Sequence, residues 1–275
     1  MKSFVALCVG LSGLCAATAM AAESPVAPMD LVQPLADYKV YVSAEVKKLV
    51  AETRKFTAAV KAGDLKTAQA LYSPTRAHYE RVEPVAELFD DLDKSIDSRA
   101  DDHEGKEEDP DFKGFHRIEY GLFAKKSTAG LAPFADKLNA DVAELQGRLK
   151  ELAFPPEKVV GGAAALIEEV ASTKISGEED RYSGTDLSDF RANVDGAQKI
   201  VALLHPLTVK ADKPLSDKID ANLAAVDKVL GKYALKDGGF QSYDKLNPAD
   251  RAALQGPITT LAEDLSKLRG TFGLD

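Results

Sequence analysis

The sequence predicts an all-α fold. Three observations carry that prediction. Apolar residues recur about every 3.6 positions along most of the chain, no pair of alternating segments is joined by a hairpin signal, and Gly or Pro marks the ends of the periodic stretches. Eight or so helices of the implied lengths suit two packed bundles.

The elements follow in order. Residues 31–62 carry Leu31, Tyr38, Val42, Val46, Leu49, Phe56 and Val60 on one helical face, and Gly63 ends the run. Residues 64–72 form a short helix. Ser73-Pro74 reads as the start of the next, over 75–89, with Pro84 kinking or dividing it. Residues 90–101 are helical if their aspartates share a face. Residues 131–154 form a long amphipathic helix stopped by Pro155-Pro156. A helix over 157–172 has Gly161-Gly162 near its start, where close packing fits. Thr185 caps a helix to 209, residues 216–235 form another, and Asn247-Pro248 opens the last, to 272. The polar stretch 127–130 is the best candidate for a lobe boundary.

Ahead of these lies Lys2, an apolar run over residues 4–17 and the small-x-small triplet Ala19-Met20-Ala21. Residues 1–21 therefore read as a signal peptide cleaved near Ala21, and residues 22–275 as the exported, periplasmic protein. Both cysteines, Cys8 and Cys15, fall in the removed segment, so the rest has no disulfide and no thiolate ligand. No later apolar run is long enough to span a membrane.

The chain holds 35 Lys+Arg against 44 Asp+Glu, a net charge of −9. That balance argues against binding nucleic acid or anionic lipid through bulk charge. Residues 90–111 alone hold eleven acids and three bases. They form either a solvated acidic loop or a funnel for cations.

Beside that segment, His116 and Glu119 stand three positions apart, on one face of a helix. An imidazole and a carboxylate so placed make half of a transition-metal site. Glu80 and Glu83 repeat the spacing just before Pro84, and two carboxylates on one face call for a cation or a proton between them. Of the aspartates at 90, 93, 97 and 101, Asp97 is the preferred ligand, since Ile96 and Arg99 keep an amphipathic rhythm around it. One imidazole, several carboxylates and no sulfur suit iron, manganese or zinc and are poor for cuprous copper. His78 lies about 200° round the helix from Glu80, His103 sits in the acidic loop, and His205 is structural. Residues 177–183, with Glu178 and Glu179, are either a charged connection or a piece of the site supplied by the other lobe. No His-Glu-x-x-His, no His-x-x-Glu-His, no nucleophile elbow and no phosphate loop occurs, so binding is favoured over catalysis.

Residues 79–84, 91–97, 114–123, 154–170, 176–182 and 256–270, above all Leu152-Ala153-Phe154-Pro155-Pro156-Glu157-Lys158-Val159-Val160-Gly161-Gly162-Ala163-Ala164, closely resemble the EfeO and EfeM proteins of the imelysin-like group. Those are periplasmic components of a bacterial iron-uptake system. The resemblance implies two four-helix bundles with a cleft between them, and metal binding through His116 and Glu119. It implies Glu80, Glu83 and Asp97 as partners, and Glu178 or Glu179 as a ligand from the second lobe. Iron, as Fe2+ or Fe3+, is the expected metal, with zinc or another divalent ion as an alternative. An inner-membrane iron permease is the expected partner. Helix begins about ten residues after the signal site, so the short form without an N-terminal cupredoxin domain is expected. The group is also associated with alginate-like acidic polysaccharide binding and with imelysin-type metallopeptidases, which stay as alternative functions.

Overall fold

The computed structural model describes residues 26–236 and 238–274. The signal-peptide reading of residues 1–21, with Cys8 and Cys15, lies outside them. The described residues hold ten α-helices joined by short 3-10 turns and loops, and the sole β-type contact among them is the antiparallel bridge between Ala234 and Phe240.

α1 (Val32–Lys61) buries Tyr38, Val42, Val46, Leu49, Phe56 and Val60, the stripe its periodicity predicts. α2 (Leu65–Glu80) is capped by Asp64, whose carboxylate accepts from Thr67 N at 3.1 Å. Here one expectation fails. Ser73-Pro74 does not start a helix, because Pro74 lies inside α2. Burial of Tyr72, Arg76 and Tyr79 against α1 and α8 outweighs the backbone bond that the proline removes. Pro84 sits in the first turn of the short α3 (Glu83–Ala86), where its missing N–H costs nothing. α4 (Asp90–Asp97) stops before Asp101, and Ser98 turns extended. α5 (Gly114–Glu119) runs into one π-helical turn, Tyr120–Ala124.

α6 (Ala132–Glu151) returns along α1 and completes the first bundle with α1, α2 and the short α4–α5 pair. The 127–130 stretch only joins the π turn to α6. The chain crosses to the second bundle at residues 152–155 instead, where Phe154 takes φ 53° and Pro155-Pro156 separates two helices.

α7 (Pro156–Ser172), α8 (Asp186–Ala211), α9 (Lys213–Leu230) and α10 (Pro248–Thr271) form the second bundle. Asn247 caps α10 as its Asn-Pro signal predicts, accepting from Asp250 N at 2.8 Å. α8 also packs on α2, and α7 on α3, so the bundles share a wall. Gly162 makes that wall tight: a Cβ there would lie 2.7 Å from Pro84 O. Between α4 and α7 a cleft of about 400 Å³ stays open, lined by Glu83, Glu87, Asp97, His103, Glu169 and Glu179 among others.

Candidate metal centre

α5 starts at a forced position. Gly114 has φ +77°, and a Cβ on it would fall 2.2 Å from Ile96 O. Only glycine lets α5 begin so close to the end of α4. Phe115 and Ile118 then turn into the core, and His116 and Glu119 share the other face, both buried. Gly114→Ala is therefore expected to cost about 2–4 kcal/mol of stability through strain and overlap. Thermal unfolding checks it, with an expected fall in Tm of roughly 5–15 °C.

The His116 ring is held from one side and open on the other. Its Nδ1 lies 3.1 Å from Glu119 Oε2. Glu119 Oε1 in turn accepts from the backbone N–H groups of Tyr182, at 3.0 Å, and Ser183, at 2.8 Å. Both Glu119 oxygens are thus engaged, and the carboxylate fixes the ring's orientation and tautomer. Nε2 is buried without a hydrogen-bond partner. Asp97 Oδ1 lies 3.6 Å from it and Glu179 Oε1 3.7 Å. These three residues come from α5, from the last turn of α4 and from the α7–α8 connection. Their donor atoms fall within 4.8 Å of one another, as do those of His116, Glu119 and Asp180. An imidazole nitrogen between two carboxylates, once it has given up its proton, is a set that iron or zinc accepts.

Two buried cations organise the acids around this triad. Arg76 is fully buried on α2; it donates to Glu80 at 2.6 Å, to Asp189 at 2.8 Å, to Glu179 at 3.3 Å, and to Asp97. Lys174 donates to both Glu83 oxygens, at 2.7 and 2.9 Å, and to Glu80 at 3.2 Å. Asn193 Nδ2 adds bonds to Glu80 at 2.9 Å and to Glu83 at 2.6 Å.

The residues singled out by sequence therefore divide. His116, Asp97 and Glu179 converge. Glu119 joins them as the group that orients the ring. Glu80 and Glu83 lie in the same buried cluster, yet they face Lys174, Arg76 and Asn193 and not the free nitrogen. Glu178 points outward and pairs with Arg181 at 2.9 Å. His78 pairs with Glu45 at 2.8 Å and His205 with Asp220 at 3.2 Å, both away from the site. His103 lines the cleft and contacts Ser98 at 2.9 Å. Sequence reasoning missed Arg76, Lys174, Asp189 and Asn193, and had Asp180 only as one member of the 177–183 segment. Arg76 alone left a signal, standing four positions before Glu80 on the helix face that carries Tyr72 and Tyr79.

The acidic segment is tied to the site rather than free beside it. Asp101 pairs with Arg181, and Glu107 accepts from the Tyr182 hydroxyl at 2.8 Å. Both partners belong to the loop that supplies Glu179 and holds Glu119.

Protonation follows from this packing. Burial and Arg76 oppose a charged His116, but the Glu119 bond and the Glu179 and Asp97 carboxylates prevail and push it up to about 10. Burial raises Asp97 to about 7, against the pull of Arg76. Burial would raise Glu179 too, but Lys174, His116 and Arg76 hold it well below the usual carboxylate range.

A profile of the imelysin (peptidase M75) family matches residues 34–268. The chain is 60% identical over 258 residues to the iron uptake system component EfeM of Pseudomonas syringae pv. syringae, covering 94% of this chain and 90% of that protein. It is 64% identical over 255 residues to the iron uptake system component EfeO of Yersinia pseudotuberculosis, covering 92% of this chain and 68% of that protein. Against EfeO of Escherichia coli O6:K15:H31 the identity is 61% over 259 residues, covering 94% and 68%. With its helices in two bundles and this similarity along most of its length, the chain belongs to the imelysin family, beside the iron-uptake components EfeM and EfeO.

Proposed function

We propose that this protein captures iron in the periplasm and passes it to an inner-membrane permease of the same uptake system. The observation that carries the reading is the unpartnered, buried Nε2 of His116, which faces Asp97 and Glu179. The iron-uptake names of relatives at 60–64% identity support it. Among the described residues no helix is long and apolar enough to cross a membrane, consistent with a component that works beside a permease. The iron is cargo, so the site needs capture and release and no reacting base. Both Glu119 oxygens are engaged, which favours holding a metal over activating a water.

The test is calorimetry on protein stripped of metal, with Fe2+ under anaerobic conditions, citrate-buffered Fe3+, and Zn2+. One saturable iron equivalent is the expected result, and no saturable binding of any of the three overturns the reading. The zinc-loaded protein is expected to leave casein intact. Cleavage that disappears in Glu119→Gln would assign a peptidase instead.

A further inference from the structure

Lys174 is a lysine where lysine is rarely found. It lies in a short 3-10 turn, Lys174–Ser176, just after α7. Its side chain is 2% exposed and its ammonium is fixed by Glu80 and both oxygens of Glu83. The same ammonium is 3.7 Å from Glu179 Oε1, the oxygen that lies 3.7 Å from His116 Nε2. Three buried carboxylates, Glu80, Glu83 and Glu179, surround this one ammonium, and opposite charges at that range favour its protonated form. A permanent positive charge therefore stands one carboxylate away from the candidate metal position.

We propose that Lys174 is a fixed counter-charge of the metal centre, setting both how tightly and how selectively a cation is held. The inference rests on the iron-binding reading of His116, Asp97 and Glu179. Repulsion between the ammonium and a bound ion grows with the ion's charge and acts through a poorly screened interior. It weakens every cation, and a trivalent ion more than a divalent one. Lys174 thus keeps the affinity in a range that permits release and tilts the site toward divalent ions. It is a positioning and specificity residue that touches no metal. Glu80 and Glu83 are its partners, which accounts for two buried glutamates that do not reach the free nitrogen.

The experiment compares Mn2+ with Ga3+, a trivalent ion without redox chemistry, both titrated from citrate into wild-type protein and into Lys174→Met. The unpaired methionine variant is expected to bind Mn2+ at least about tenfold tighter and to shift the Ga3+/Mn2+ preference toward Ga3+ by at least about tenfold more. Equal tightening of both ions, or weaker binding of both, overturns the proposal. Should Lys174→Met not fold, Glu83→Gln alone leaves the ammonium with one negative partner fewer; it is expected to shift the Ga3+/Mn2+ preference toward Mn2+, and an unchanged preference there overturns the proposal. The double variant Lys174→Met/Glu83→Gln removes a charge pair together. It is expected to return to wild-type affinity and preference; a loss of binding there would make Glu83 a ligand and overturn the counter-charge. Wild-type protein that binds neither ion refutes the site itself, whereas binding with an unchanged preference in both variants refutes Lys174 alone.

Discussion

His116→Ala is expected to lower metal affinity at least about hundredfold, because it removes the one nitrogen donor of the site. Asp97→Asn and Glu179→Gln are expected to cost about tenfold to hundredfold each, and Glu178→Gln nothing measurable. The contrast between neighbours is the discriminating part. Glu179 is buried against His116, while Glu178 is exposed and pairs with Arg181. Glu119→Gln is expected to cost about tenfold to hundredfold as well, although its oxygens face His116 Nδ1 and two backbone N–H groups and not the metal position. Calorimetric titration of the five variants and the wild type with one metal decides the matter. Unchanged affinity in His116→Ala removes the site from consideration.

The second large effect is with pH. Metal affinity is expected to rise about tenfold per pH unit between pH 7 and 9, since a metal must displace the proton from His116, held up to about 10. Below pH 7 the slope steepens, because Asp97, raised to about 7, adds a second competing proton. Stability of the metal-stripped protein runs the other way. His116 has its folded-state pKa raised above the ordinary 6.5, so its contribution is complete below 6.5 and is lost as pH rises toward 10. Asp97, also raised, costs stability progressively as pH rises from its ordinary 3.8 through about 7. Acid thus loosens the metal while the same two groups favour the fold. Titrations at pH 6, 7, 8 and 9, with melting curves taken in parallel, test both signs. A flat affinity profile contradicts the protonated imidazole.

Much of this was legible in the sequence because helical periodicity is a local signal. α1, α6, α7 and α10 follow from spacing and caps, with Asn247 the clearest case. The sequence of α2 reads as two helices, because Pro74 is a local stop signal and the burial that overrides it comes from α1 and α8. The lobe boundary was misplaced for a related reason: polar residues at 127–130 imitate a linker, while Pro155-Pro156 does the dividing. In the site, the His116–Glu119 spacing and Asp97 were readable from helix geometry. The roles were not. Whether Glu119 ligates or orients depends on Tyr182 and Ser183, and whether Glu80 and Glu83 are free depends on Lys174 and Asn193. These partners come from the far half of the chain, and no spacing rule reaches across it.

The bond network of Glu119 has a consequence for delivery. One oxygen sets the imidazole and the other grips the backbone of the Tyr182–Ser183 loop, so ring and loop form a single mechanical unit. Thermodynamic reciprocity then applies: if a docking protein draws that loop outward and weakens the metal by some factor, the bound metal weakens docking by the same factor. The same loop carries Arg181 and Tyr182, tied to Asp101 and Glu107 at the surface, so a displacement there reaches the imidazole through one carboxylate.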